Sequence, residues 1–190
     1  MELLLSLDKE AFLFLNAILA NPWCDRILYL WSYLGNALVV LVLVVVLSLR
    51  RAPFLKDNLL YLALTLLLGG MVVNGLKELI QRPRPVAEFA SLIAAGKVHV
   101  HVVGAALTGN SFPSGHTQVA FSAATYLSLA LPRFCLPFIL LATGVAVSRI
   151  SMGVHFPLDV MAGALIGAVT GWGGWRIKGV VQKKTRRSTT

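Results

Sequence analysis

Long apolar runs separated by short polar segments set the plan of this 190-residue chain. Five of them, at about 27–49, 58–80, 115–131, 136–152 and 158–176, approach the ~20 residues that a helix needs to cross a bilayer. Each predicts a transmembrane helix. Residues 2–20 are apolar too, but Asp8, Lys9 and Glu10 stand together within them, a costly group at a bilayer centre. That stretch therefore reads as an interfacial amphipathic helix, with a sixth span as the alternative, and Asn21-Pro22 ends it. The expected fold is all-α, a polytopic membrane bundle of five to six transmembrane helices. Its expected parts are an N-terminal helix (1–22), a transmembrane domain carrying the chemistry (23–176) and a basic tail (177–190).

Composition agrees with this plan. Hydrophobic residues make up 57% of the chain and charged residues 13%, with a mean hydropathy of +0.76, against roughly 25% charged in soluble domains. This is the profile of an integral membrane protein with no soluble domain left over. The net charge of +9 does not call for nucleic acid, because Arg176, Lys178, Lys183, Lys184, Arg186 and Arg187 directly follow the last apolar run. Such a cluster reads as a cytoplasmic membrane flank, and no aromatic-interleaved basic surface accompanies it. Cys24 and Cys135 fit neither a disulfide framework nor a metal cluster and are expected to be unpaired. With Glu2, Asp8 and Glu10 and no small-residue cleavage site, the amino terminus does not read as a cleavable signal peptide.

Charge also orients the spans. Arg50, Arg51 and Lys56 follow the first span, Arg133 lies between the third and fourth, and the basic tail follows the fifth. Parity puts all three on one side, which the positive-inside rule makes cytoplasmic. The 81–114 and 153–157 connections then fall on the opposite face, periplasmic or extracellular, of an inner or plasma membrane. Lys77, Arg82, Arg84, Lys97 and Arg149 are there as cations against the usual bias. A bound anion would explain them.

Three polar segments on that face carry the candidate chemistry. Lys77 ends the second span with Asn74 and Gln81 at helical spacing, and Arg84 follows in a Pro-flanked turn; the two cations read as a clamp on phosphate oxygens or as snorkelling side chains. In Pro113-Ser114-Gly115-His116, Ser114 is a good N-cap, the helix start aims N–H groups at an anion, and Gly115 permits close approach. His116 in the first turn could protonate a leaving oxygen, or be simply an interfacial histidine. In Ser148-Arg149…His155…Asp159 the chain turns at Gly153 and Pro157, and Asp159 follows His155 by four residues. This spacing lets the carboxylate hold one imidazole nitrogen and leaves the other free to attack phosphorus; a favourable acid at a helix start is the plainer alternative for Asp159.

These three segments, in this order, resemble the type 2 phosphatidic acid phosphatases (PAP2), the membrane lipid-phosphatase branch that shares its site with vanadium haloperoxidases and glucose-6-phosphatase. The matching residues are Lys77-x6-Arg84-Pro85, Pro113-Ser114-Gly115-His116 and Ser148-Arg149-x5-His155-x3-Asp159, and the resemblance covers roughly 58–176. It implies a vanadium haloperoxidase-like core, with His155 as the nucleophile of a phosphohistidine intermediate, Asp159 orienting it, and His116 as acid and then base. Lys77, Arg84, Arg149, Ser114 and Gly115 would hold the phosphate oxygens. It also implies no metal ion or other cofactor, and no acidic cluster in the sequence is placed to hold one.

The expected partner is therefore a membrane lipid phosphate. Undecaprenyl diphosphate leads by analogy with short family members; phosphatidylglycerol phosphate, phosphatidic acid and the 1-phosphate of lipid A are alternatives. Phosphotransfer to a lipid or sugar acceptor, and non-catalytic transport of a lipid phosphate, are the rival functions. Among the remaining features, His99 and His101 read as a loop strand, not a metal pair. Arg82 reads as a contact to headgroups or substrate, and Gly163, Gly167 and Gly171 as a close helix contact.

Overall fold

The computed structural model describes residues 2–49 and 52–188. Arg50 and Arg51, whose charges enter the orientation argument, lie outside the described residues, as do the side chains of Lys56, Arg186 and Arg187. Nine α-helices are seen among the described residues and no strand: α1 Glu2–Leu19, α2 Pro22–Ser32, α3 Ala37–Ser48, α4 Ala52–Ile80, α5 Pro85–Glu88, α6 Ala90–Ala94, α7 Gly115–Ala130, α8 Cys135–Ser151 and α9 Pro157–Ser188. The all-α expectation holds. Two stretches, Asp57–Ala94 and Pro132–Ser151, are long and apolar enough to cross a membrane, and the α2/α3 pair is a third if it counts as one span.

The expected first span is not straight. Pro22–Gly35 and Ala37–Val46 meet at 81°, because the chain becomes extended at Asn36, whose side chain caps α3 by accepting from the N–H groups of Leu38 (2.9 Å) and Val39 (3.3 Å). At this bend Gly35 meets the start of α7: a Cβ there would fall 2.7 Å from His116 Cβ. The other caps follow the sequence. Asn21 accepts from Cys24 N–H at 2.9 Å ahead of Pro22, and Ser114 caps α7.

Helix α7 is the centre of the bundle, packed against α4, α8 and above all α9. Its inward face is small and apolar: Ala120 and Ala124 meet Ala142 and Val145 of α8, while Ala123 and Tyr126 meet Val40, Val44, Leu62 and Leu66 of α3 and α4. The glycine stripe on α9 lets that helix sit directly on the α7 backbone, as expected of a close contact. Leucines such as Leu60, Leu67 and Leu79 remain exposed on α4, the arrangement of a helix whose outer side faces lipid.

Two further features bear on the sequence reading. Helix α9 continues unbroken as far as Ser188, and Lys178 is buried, donating to Asn58 Oδ1 at 2.7 Å and lying over Trp175. The His99–His101 stretch is loop without strand pairing, and His101 is bound at both its backbone and its ring. Its N–H and carbonyl pair with the Asn16 side chain at 2.8 and 3.0 Å, and its Nε2 lies 2.9 Å from Asp25 Oδ1. The Asn16 amide also donates to the Ile150 and Ser151 carbonyls at the end of α8. That anchors α1 beside the turn that carries His155.

Candidate active site

Four helix ends and one turn converge at one end of the bundle. Arg84 follows α4, Ser114 opens α7, Arg149 lies in the last turn of α8, and Asp159 lies in the first turn of α9. The backbone ties them together: Ser114 N–H donates to the Asp159 carbonyl at 2.9 Å, and Ser111 N–H to the Arg82 carbonyl at 2.7 Å. The α8–α9 turn folds back so that the N–H groups of Val154 and His155 both reach the Arg149 carbonyl at 3.2 Å. Gly153 makes this turn possible, with φ of +72° and a position where a Cβ would lie 2.5 Å from the His101 carbonyl oxygen.

His155 is 2% exposed and Asp159 is fully buried. The Asp159 Oδ2 lies 3.5 Å from His155 Nδ1 and accepts from Ser111 Oγ at 2.5 Å and Phe156 N–H at 2.8 Å. Ser111 Oγ is itself 3.4 Å from His155 Nδ1. With Nδ1 turned to this carboxylate, the imidazole keeps Nε2 for another partner. The site also holds two buried guanidinium groups. Arg84 donates from Nη1 to the Val154 carbonyl at 3.1 Å, and Arg149 Nη1 lies 3.5 Å from Met152 Sδ. The Nε atoms of both are buried with no hydrogen-bond partner. Buried N–H groups are nearly always satisfied, so these two donors mark where an anion fits. Lys77, half-buried, lies close enough to Arg84, Arg149 and Asp159 to interact with them electrostatically, and His116 close enough to both arginines, Lys77 and His155. Among the described residues, no group of three or more His, Cys, Asp or Glu side chains converges as a metal site requires.

Desolvation in this pocket, only partly offset by the bond to Asp159, pushes the His155 imidazole down to about 4 from its ordinary 6.5. The His155 shift has a consequence for stability. Between pH 6.5 and about 4 the unfolded chain binds a proton that the folded site refuses, so stability present above pH 6.5 is lost as pH falls through this window. The loss reaches roughly 3 kcal/mol. Thermal unfolding in detergent between pH 7 and 4.5 is expected to show Tm falling with pH, and His155→Asn is expected to flatten that slope; an unchanged slope would contradict the assignment.

Lys77, Arg84, Ser114, Gly115, His116, Arg149, His155 and Asp159 are all found at this end of the bundle. Three others had been missed or misread. Ser111 shares the Asp159 oxygen with His155. Arg82, expected to face headgroups or substrate, instead donates to Asp159 Oδ1 at 2.7 Å and to Asp8 Oδ2 at 2.6 Å. Asp8, expected at an interface, is 5% exposed. The sequence did hold one signal for it, a carboxylate in an apolar helix that calls for a buried partner.

A helical membrane bundle that gathers two histidines, two buried carboxylates and four cations at one end has the make-up of a phosphoryl-transfer protein of the bilayer. Comparison with known proteins fixes the family. Residues 58–183 match the PAP2 superfamily, and the chain belongs to it. It is 31% identical over 193 aligned residues to the lipid A 4'-phosphatase of Bacteroides thetaiotaomicron, covering 98% of this chain and 82% of that one. A lipid A 1-phosphatase of Rhizobium johnstonii is 33% identical over 57% of this chain and 43% of its own length, so the chain spans under half of that relative. The crystal structure of Aquifex aeolicus LpxE superposes with a TM-score of 0.72 at 33% identity, covering 88% of this chain and 93% of that one. A phosphatidylglycerolphosphate phosphatase from Bacillus subtilis shares the fold, with a TM-score of 0.70 at 22% identity.

Proposed function

We propose that this protein hydrolyses a phosphomonoester or diphosphate on a membrane lipid, at the periplasmic or outer face, through a phosphohistidine on His155. The observation that carries the reading is the pairing of His155 Nδ1 with the fully buried Asp159, beside two buried arginines whose Nε donors lack partners. With Nδ1–H held, the Nε2 lone pair attacks phosphorus. The bond from phosphorus to the lipid oxygen breaks, and His116 gives its proton to that oxygen. His116 then takes a proton from water, whose oxygen attacks phosphorus and frees His155 with inorganic phosphate. Arg84, Arg149 and Lys77, with the Ser114 hydroxyl and Gly115 N–H, hold the equatorial oxygens, where charge spreads in the transition state.

For the substrate, the relative aligned over nearly the whole chain is a lipid A 4'-phosphatase, which puts phosphorylated lipid A first beside undecaprenyl diphosphate. An undecaprenyl-diphosphatase of Sulfolobus acidocaldarius is 42% identical, but over only 32% of this chain. The test is phosphate release by the purified protein in detergent with EDTA present. Lipid A, undecaprenyl diphosphate, phosphatidylglycerol phosphate and phosphatidic acid are offered in parallel. Release from one of them is expected, and it names the lipid. If lipid A gains a phosphate instead, the protein is a phosphotransferase; if no lipid gains or loses one, the hydrolase reading fails.

A further inference from the structure

Arg82 lies between two carboxylates that are 74 and 77 residues away in the chain. Its Nη2 donates to Asp8 Oδ2 at 2.6 Å and its Nη1 to Asp159 Oδ1 at 2.7 Å. The guanidinium carbon is 4.1 Å from the centroid of the Phe156 ring, and both carboxylates are buried. Asp8 Oδ1 accepts from Leu158 N–H at 2.8 Å, in the first turn of α9. All four oxygens therefore have partners, and Asp159 has only Oδ2 left for His155.

The charges explain why two acids meet one arginine. An imidazole phosphorylated at Nε2 that keeps its Nδ1 proton is a cation, stabilised by net negative charge behind it. Asp159 with Arg82 alone is neutral; with Asp8 added, the group carries one net negative charge. We infer that Arg82 and Asp8 are positioning residues for phosphoryl transfer: Arg82 fixes Asp159, and Asp8, on the N-terminal helix, offsets the arginine so that His155 keeps an anionic support. The inference rests on the phosphohistidine reading above. It makes α1, held also by the Lys9–Glu88 ion pair and Asn16, a working part of the site and more than a membrane anchor.

A test independent of the lipid uses inorganic phosphate as the probe. Attack by Nε2 forms the N–P bond as one P–O bond breaks and leaves as water with a proton from His116; reversal in oxygen-18 water labels the phosphate. The full chain in detergent is assayed for this exchange from pH 2.5 to 8. Wild-type protein is expected to exchange and His155→Ala is not. If His155→Ala exchanges like wild type, or wild type does not exchange, the phosphohistidine reading itself fails.

Given His155-dependent exchange, Asp8→Asn is expected to slow it about tenfold or more and to move the acid limb down by about one pH unit, since a negative charge is lost near the imidazole. Arg82→Gln is also expected to slow exchange but to move the limb up. Combining the two restores the net charge and returns the limb near its wild-type position, while Asp8→Glu and Arg82→Lys leave it in place. Arg84 beyond α4, His116 of α7 and Arg149 of α8 also face His155, and Lys77 of α4 faces His116, Asp159 and the two arginines; they are present in every variant, so their effect is common to all. Asp8→Asn keeps an acceptor for Leu158 N–H, and if it does not fold, Arg82→Gln against Arg82→Lys decides the question. Limbs that stay put, or move in the same direction in both neutralised variants, overturn the inference, because damage to packing alone carries no sign.

Discussion

Replacement of His155 by alanine is expected to lower lipid-phosphate turnover by at least about 10³-fold, the scale of removing a covalent nucleophile. No neighbouring group replaces it. Ser111 Oγ is committed to Asp159 at 2.5 Å, and Ser114 Oγ accepts from Thr117 Oγ1 at 3.0 Å as the cap of α7. The cations are left untouched, so His155→Ala is expected to bind inorganic phosphate while failing to turn it over. Acid-quenched and alkali-quenched samples separate the chemistry further. An N-linked phosphate survives alkali and is lost in acid; wild-type protein incubated with labelled substrate is expected to carry such a label, and His155→Ala none. Turnover within tenfold of wild type would sink the assignment. Because the side chain is 2% exposed, the comparison also requires that the variant remain monodisperse in detergent with a measurable Tm.

Local features of this fold were largely legible in the sequence. Asn21, Ser114, Gly153 and Pro157 each act through the residues beside them, and the structure shows them as cap, cap, turn and helix start. The three polar segments were legible for a related reason: each places its chemistry at a helix end, where spacing along the chain fixes geometry. What could not be read depends on tertiary contact. The break falls at Gly35-Asn36 inside a longer apolar run, and that Gly35 there approaches His116 across the bundle could be seen only in the fold. The bridge from Asp8 through Arg82 to Asp159 joins residues whose separation leaves no periodic trace. Charge in an apolar stretch fits both an interfacial helix and a buried ion pair, and only the partner decides between them. Lys178 illustrates the same ambiguity at the other end of the bundle: in sequence it belongs to a basic flank, but Asn58 and Trp175 bury it.

The second large effect is expected at Gly163, where packing and catalysis share one contact. Along α9, a Cβ added at Gly163, Gly167 or Gly171 would fall 2.5 Å from the carbonyl oxygen of Ser114, Gln118 or Ser122 in turn. These are backbone atoms, so the clash is relieved only by moving one helix off the other, and overpacking of this kind costs typically 1–3 kcal/mol. At Gly163 the displaced atom belongs to the cap of α7 itself. Ser114 N–H also donates to the Asp159 carbonyl, so separating the helices there pulls the turn proposed to hold phosphate away from His155 and its carboxylate. A 1 Å misplacement is enough to cost about 100-fold in rate. Gly163→Val is therefore expected to lower both Tm and phosphate release, the latter by about 100-fold. Gly171→Val, two helical turns further from the site, is expected to lower Tm comparably with a smaller loss of rate per molecule that remains folded. Gly173, on the same helix with nothing within 4 Å of an added Cβ, is the control: Gly173→Ala is expected to keep full activity and gain about 0.5–1 kcal/mol from helix propensity. Measured Tm values and phosphate-release rates for the three variants decide the matter, and a fully active, fully stable Gly163→Val would mean that α9 does not rest on the Ser114 carbonyl.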